Sequence, residues 1–306
     1  MQIPEPFRRL LNLENISDKY RNIVINYILE ILSALNFYLN KFPLDGILKS
    51  AVSHLIGKGK LIRPLLSLLI SRGLGVKNER SLRLAVAIEF GHTASLIHDD
   101  IIDRSDFRRG TVSVHKQYGE ELAILAGDAL ILMSNYIASE LSGEIIREIL
   151  HAGIKMCMGE SLELENQSIN IDDYLDIVYF KTASYFEHIA RASAMLAGID
   201  RKSLQIFGEF GKELGYAFQF RDDVLDIIGD KSILGKPVNH DVNKPNLVKI
   251  LCKENNINID EALKIANQMI SQKIDNAIKI LEQLPLNNEA KNILKYLLIS
   301  LKSREI

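Results

Sequence analysis

The run Asp99-Asp100-Ile101-Ile102-Asp103 returns in kind as Asp222-Asp223-Val224-Leu225-Asp226, each time on an apolar stretch with helical spacing and each time followed by basic residues. On a helix, residues four apart share a face, so Asp99 stands beside Asp103 and Asp222 beside Asp226. Two like charges ~4 Å apart at an effective dielectric near 20 cost roughly 4 kcal/mol. Solvent, a shared proton or a divalent cation must relieve that repulsion. Oxygen-only ligands suit a hard ion, and magnesium takes one or two carboxylates, keeps several waters and completes its shell with substrate phosphates. One such cluster alone reads as a solvated helix face. Two, both on apolar helices, point to metal chemistry.

The rest of the chain predicts an all-α fold. No proline lies between Pro64 and Pro237, and apolar residues recur at three and four spacing through Ile23 to Leu39, Leu65 to Leu74, Leu82 to Ile102, Leu122 to Leu141, Ile145 to Leu164 and Leu204 to Ile228. No comparable alternating strand pattern occurs. Asn170 ahead of Asp172 and Asp173 marks a helix start, Asn258 with Glu261 resembles a capping box, and Pro64 suits a first helical turn. Arg104 to Gly110 and Gly229 to Asn246 read as loops. With no low-complexity linker, the expectation is one domain over 1–306, with catalytic motifs in 57–246 and a C-terminal helical scaffold in 257–306.

With 306 residues and 47% hydrophobic content, the chain can build a sizeable core. A net charge of -2, from 37 basic and 39 acidic residues, gives no overall bias toward nucleic acid or an anionic membrane, so anion binding must be local. Cys157, between Met156 and Met158, and Cys252 are expected to be buried thiols, in keeping with a reducing cytoplasm. The N-terminus lacks a signal-peptide pattern and no stretch is expected to reach the length of a membrane span, so cytoplasmic location without stable membrane insertion is predicted. His98, His115, His151 and His188 form no zinc spacing.

His92 to His98, then Asp99 to Asp103, then Arg108-Arg109-Gly110, resembles the first aspartate-rich region of the trans-polyprenyl diphosphate synthases. The resemblance continues in order through Gly59-Lys60-Leu61-Ile62-Arg63-Pro64, Gly127-Asp128, Lys181-Thr182, Gln219 with the second acidic cluster, and Leu234-Gly235-Lys236-Pro237 followed by Asp241 and Lys244. It covers roughly positions 45 to 250. The chain departs from the family pattern at Leu61, where many relatives carry Arg, at Glu160, where Gln is usual, and at Asn239 and Asn243, which replace loop glycines.

The resemblance implies an isoprenoid synthase fold, long antiparallel helices around a central cavity with the two acidic clusters facing each other at its mouth, and a homodimer. It implies a reaction in which an allylic diphosphate (dimethylallyl, geranyl or farnesyl) is ionised with the help of three magnesium ions, manganese being able to substitute. Isopentenyl diphosphate then attacks and a proton is lost to give a trans double bond. By the same resemblance Asp99, Asp103 and Asp222 are the metal ligands, with Asp100, Asp223 and Asp226 acting through water or neighbouring side chains. Arg108, Lys181, Lys236 and Lys244 grip the allylic diphosphate, and Lys60, Arg63, His92 and Arg109 hold isopentenyl diphosphate. Arginine offers bidentate geometry to phosphate oxygens. Thr182 and Gln219 are neutral companions, with Thr182 stabilising the carbocation.

In the family the fifth residue upstream of the first aspartate gauges product length. Here it is Ala94, beside Ser95, with the small Gly91 and Ala87 one turn deeper and Phe90 as a partial floor, which predicts products of twenty carbons or more. Plain close helix packing would use the same small residues. Two other readings are a terpene cyclase on the same fold and a non-catalytic or partner-dependent subunit of a hetero-oligomeric synthase. The second acidic motif and the separate basic set disfavour the former, and the intact aspartates disfavour the latter.

Overall fold

In a computed structural model, residues 17–165, 169–232 and 244–302 are described, and they are almost entirely helical, as the periodicity predicts. They fall into two compact units. One takes in the described residues up to Leu150 with Ala192–Ile199 and Leu286–Ile293; the other takes in His151–Arg191, Asp200–Pro285 and the described residues from Leu294.

In the first unit, α1 (Asp18–Lys41), α2 (Gly46–Ser53), α3 (Ile62–Gly73) and α4 (Asn78–Ile102) are followed by a small hairpin, β1 (Phe107–Arg108) and β2 (Thr111–Val112), and by α5 (Val114–Tyr118) and α6 (Glu120–Ser139). α4 packs against α1, α3 and α6, and its buried Leu84, Ile88, Phe90 and Ile97 form the middle of this unit's core. The helix α7 (Gly143–Glu165) begins in this unit and ends in the second. The second unit continues with α8 (Ile171–Val178), a π-helical turn (Tyr179–Ala183), α9 (Ser184–Leu196) as far as Arg191, α10 (Arg201–Ser232), α11 (Leu247–Asn255), α12 (Ile259–Gln283) and the part of α13 (Asn288–Lys302) from Leu294. There α10 packs on α12 and on the π turn.

Both expected caps form as reciprocal capping boxes, Asn170 with Asp173 and Asn258 with Glu261. Four expectations are corrected. The loop expected from Gly229 to Asn246 does not begin at Gly229, because α10 continues through Ser232, and its positions 233–243, Asn239, Asp241 and Asn243 among them, lie outside the described residues. The stretch after Asp103 holds a strand pair, Phe107 opposite Val112 and Arg108 opposite Thr111, too short to show as alternation in the sequence. Cys157 is exposed, on a face of α7 with Ile154 and Met158 that is left uncovered among the described residues, and Cys252 is half-buried. Two helices, α1 and α6, are long and apolar enough by length and composition to cross a membrane. For α1 the apolar character is accounted for by a face of Val24, Ile28, Ile31 and Leu35 buried on α3 and α4.

Candidate active site

In the first unit, α4 ends at the first acidic motif in a Schellman arrangement. The Ser105 amide donates to the Asp100 carbonyl at 3.0 Å, the Arg104 amide donates to the Ile101 carbonyl at 3.2 Å, and Arg104 takes a left-handed φ of 55°. A left-handed conformation costs a non-glycine residue roughly 1–2 kcal/mol. That stop leaves Asp99 and Asp103 half-buried on the last turn, with Asp100 fully buried. Arg108 donates to Asp100 Oδ1 through Nε at 2.7 Å and Nη2 at 2.6 Å. Burial raises the Asp100 carboxyl above its ordinary range, and Arg108 draws it part of the way back.

The hairpin turn is Arg109-Gly110, both with positive φ (53° and 73°), as a two-residue primed turn requires. Arg109 runs back into the unit. Its Nη2 donates to Glu89 Oε1 at 2.9 Å, and its Nη1 to the Leu55 carbonyl at 2.8 Å and Thr93 Oγ1 at 3.3 Å. Gly59 lies flat against this guanidinium, since a Cβ there would stand 2.7 Å from Arg109 Nε. Two residues on, Leu61 is buried with a left-handed φ of 52°, a strained entry that sets α3 and with it Arg63. Arg63 Nη1 lies 3.0 Å from His92 Nε2. An arginine only donates, so this imidazole nitrogen accepts and His92 is neutral. Burial, then the charges of Arg63, Arg109 and Arg108, hold the His92 imidazolium well below its usual range.

The structure therefore gathers Arg63, His92 and Arg109, three of the four residues assigned to one anion, within the first unit. Lys60, the fourth, is half-buried next to Gly59. Ala94 and Phe90 are fully buried on α4, Gly91 and Ser95 half-buried, and the Ser95 hydroxyl donates to the His92 carbonyl at 2.9 Å. Glu89 escaped the sequence analysis. Its one signal is a carboxylate in the otherwise apolar middle of α4, four residues before Thr93.

In the second unit, the π turn carries Lys181 and Thr182. Such turns are rare and frequent at functional sites. Gly159 of α7 presses on it so closely that a Cβ would lie 2.6 Å from the Lys181 amide nitrogen. This brings Lys181 Nζ 2.6 Å from Glu160 Oε2 and 2.7 Å from Glu163 Oε2. Burial disfavours the Lys181 ammonium, but Glu163 and Glu160 more than offset it and its pKa rises. The Thr182 hydroxyl donates to Gln219 Oε1 at 3.0 Å, and Gln219 Nε2 donates to Asp223 Oδ1 at 2.8 Å. Asp223 Oδ2 accepts from the Tyr174 hydroxyl and from the Leu247 amide, both at 2.7 Å. Burial pushes Asp223 up to about 6 against these donors. Asp222 is half-buried and Asp226 exposed on the same helix, Lys244 is half-buried, and Lys236 lies outside the described residues.

Among the described residues, no three His, Cys, Asp or Glu side chains gather closely enough to hold an ion alone. Pairs of carboxylates one helical turn apart fit a hard cation whose remaining ligands are water and phosphate oxygens. Acidic pairs one helical turn apart, a half-buried set of Arg63, His92 and Arg109 and a π turn carrying Lys181 and Thr182 stand where the sequence resemblance places the site of an enzyme that transfers prenyl groups, a prenyltransferase.

Comparison with known proteins specifies the family. The Polyprenyl synthetase family model matches residues 45–284. A geranylfarnesyl diphosphate synthase of Aeropyrum pernix is 39% identical over 212 residues, 64% of this chain and 67% of that protein. A geranylgeranyl pyrophosphate synthetase from the archaeon Geoglobus acetivorans has a TM-score of 0.82 at 27% identity, covering 92% of this chain and all of that one (100%). A polyprenyl synthase from Caulobacter crescentus, complexed with calcium and isoprenyl diphosphate, has a TM-score of 0.81 at 25% identity over 100% of both chains. The chain belongs to the polyprenyl synthetase family, and its fold is the isoprenoid synthase fold.

Proposed function

We propose that the chain condenses isopentenyl diphosphate with an allylic diphosphate, dimethylallyl, geranyl or farnesyl, and releases an all-trans polyprenyl diphosphate of twenty carbons or more. The observation that carries this reading is the half-buried set of Arg63, neutral His92 and Arg109 in the same unit as the first acidic motif, which we read as the place for one diphosphate. Relatives named as geranylfarnesyl, octaprenyl and decaprenyl diphosphate synthases support the product class.

Magnesium, three ions with manganese able to substitute, would supply positive charge to the leaving diphosphate when bound. Asp99, Asp103 and Asp222 would hold it, with Asp100, Asp223 and Asp226 acting through water or neighbouring side chains. Arg108, fixed by Asp100, meets the allylic diphosphate with Lys181, Lys236 and Lys244. Arg109, Arg63, His92 and Lys60 keep isopentenyl diphosphate ready to attack, Arg109 being held rigid by Glu89 and Thr93. Thr182, oriented by Gln219, faces the developing cation. Ala94, Ser95, Gly91 and Phe90 form the wall that limits the tail.

We further place the protein in the cytoplasm as a homodimer. α6 buries Ala126, Leu130 and Met133 yet exposes Ile124, Leu125, Leu132 and Tyr136 as a stripe. A helix apolar on all sides is one that is covered on all sides. A second copy accounts for the exposed stripe.

The test is incubation of the purified chain with magnesium, labelled isopentenyl diphosphate and farnesyl diphosphate. Label in products of at least twenty carbons is expected. No incorporation by the chain alone, with activity restored only by a second protein, would replace this reading with the partner-dependent subunit.

A further inference from the structure

Asp223 is buried at 3% exposure and engaged from three directions. Gln219 donates to Oδ1, while the Tyr174 hydroxyl from α8 and the Leu247 amide at the start of α11 both donate to Oδ2. The side chain of Asn246 adds a fourth tie, donating from Nδ2 to the Asp223 carbonyl at 3.0 Å while its Oδ1 caps α11 by accepting from the Val248 and Lys249 amides. A separate bond, from the Ile171 amide to Glu254 Oε1 at 2.9 Å, joins the other end of α11 to the start of α8. Tyr174 is itself only 1% exposed, and its ring stacks on Phe220 with centroids 6.1 Å apart.

Buried polar groups with this many partners fix geometry, because any lost bond leaves a donor or acceptor stranded away from water. The backbone fixed here matters in two places. Asp222 precedes Asp223 on α10, and Lys244 stands two residues before Asn246. Gln219 extends the same network to the Thr182 hydroxyl.

We propose that Tyr174 is a positioning residue of the reaction. Acting through Asp223, its hydroxyl holds the first turn of α11 to α10 and so sets the backbone of Lys244 against that of Asp222. Asp223 is then a pin between helices whose oxygens serve protein donors. The inference rests on the proposed prenyltransfer for its kinetic consequence and on geometry alone for its structural one.

The experiment compares wild type with Tyr174→Phe in two measurements. The first is hydrogen exchange of the unliganded protein without metal, in which the amides of Leu247, Val248 and Lys249 should exchange about 5-fold faster or more in the variant, in line with loss of one net hydrogen bond. The second is steady-state kinetics. The KM for the allylic diphosphate and the magnesium concentration for half-maximal rate should each rise about 5-fold, while the KM for isopentenyl diphosphate changes less than about 2-fold. Asn246→Ala cuts the same network from the other side and should give the same split, which keeps the test available if Tyr174→Phe does not fold. Unchanged exchange at the start of α11 overturns the proposal. So does an equal rise in both KM values, which a general loss of stability would give. If wild type itself transfers no prenyl group, the functional reading falls, and the exchange measurement still decides whether Tyr174 holds α11.

Discussion

Glu89 and Arg109 form a buried ion pair at 2.9 Å, the carboxylate 1% exposed and the guanidinium side chain 9%. Breaking such a pair from one side strands a charge and typically costs about 3–5 kcal/mol. Glu89→Gln keeps the shape and an acceptor but removes the charge that pins Arg109. We expect the KM for isopentenyl diphosphate to rise about 10-fold, with that for the allylic diphosphate little changed. Initial rates at varied concentrations of each substrate measure both.

Lys181 is shared by Glu160 and Glu163, so gripping a diphosphate requires it to loosen an existing partner. Glu160→Gln removes one competitor and a negative charge from the site. Its expected effect is a KM for the allylic diphosphate lowered about 3-fold, whereas Lys181→Met should raise it by an order of magnitude or more, about the worth of a charge-assisted hydrogen bond. Titration calorimetry with a non-reactive allylic analogue reports the same ranking.

Ala94 is fully buried on α4. Overpacking by phenylalanine should cost about 1–3 kcal/mol of stability. If this face lines the tail site, Ala94→Phe also shortens the product by one or more five-carbon units, read by chromatography of the dephosphorylated alcohols. An unchanged product distribution removes Ala94 from the wall.

His92 protonates in the folded protein at a pH well below the ordinary imidazole range. The unfolded chain therefore takes up this proton first on acidification, from about pH 6.5 downward. Stability is lost as pH falls through that window, and the loss ends below the folded-state value. In His92→Gln this part of the slope should vanish. Urea midpoints at pH 7.5 and 5.5 for both proteins test it.

Leu132, 69% exposed, lies in the middle of the apolar stripe on α6. In the homodimer we propose, Leu132→Glu should shift the protein toward the monomer in sedimentation equilibrium while leaving its circular dichroism unchanged.

Much of this was legible in the sequence because it is local. Helical spacing gave α1, α3, α4, α6, α7, α10 and the C-terminal α12 and α13 in outline, and the capping asparagines 170 and 258 marked true starts. What escaped depends on partners far apart in the chain. Glu89 meets Arg109 across 20 positions and Tyr174 meets Asp223 across 49, and neither pairing leaves a periodic trace. At the π turn Gly159 comes so close to the Lys181 backbone that a Cβ would not fit, a contact between separate helices. Exposure of Cys157 depends on which faces neighbouring helices leave bare, which composition does not encode.

The hairpin after α4 sorts two adjacent arginines. Arg108, paired across the strands with Thr111, reaches Asp100, and Arg109, at the bend, reaches Glu89. One peptide step thus separates the hands assigned to donor and acceptor substrates. An insertion or deletion of a single residue at this corner would misassign both guanidiniums at once, so the corner should tolerate changes of residue far better than changes of length.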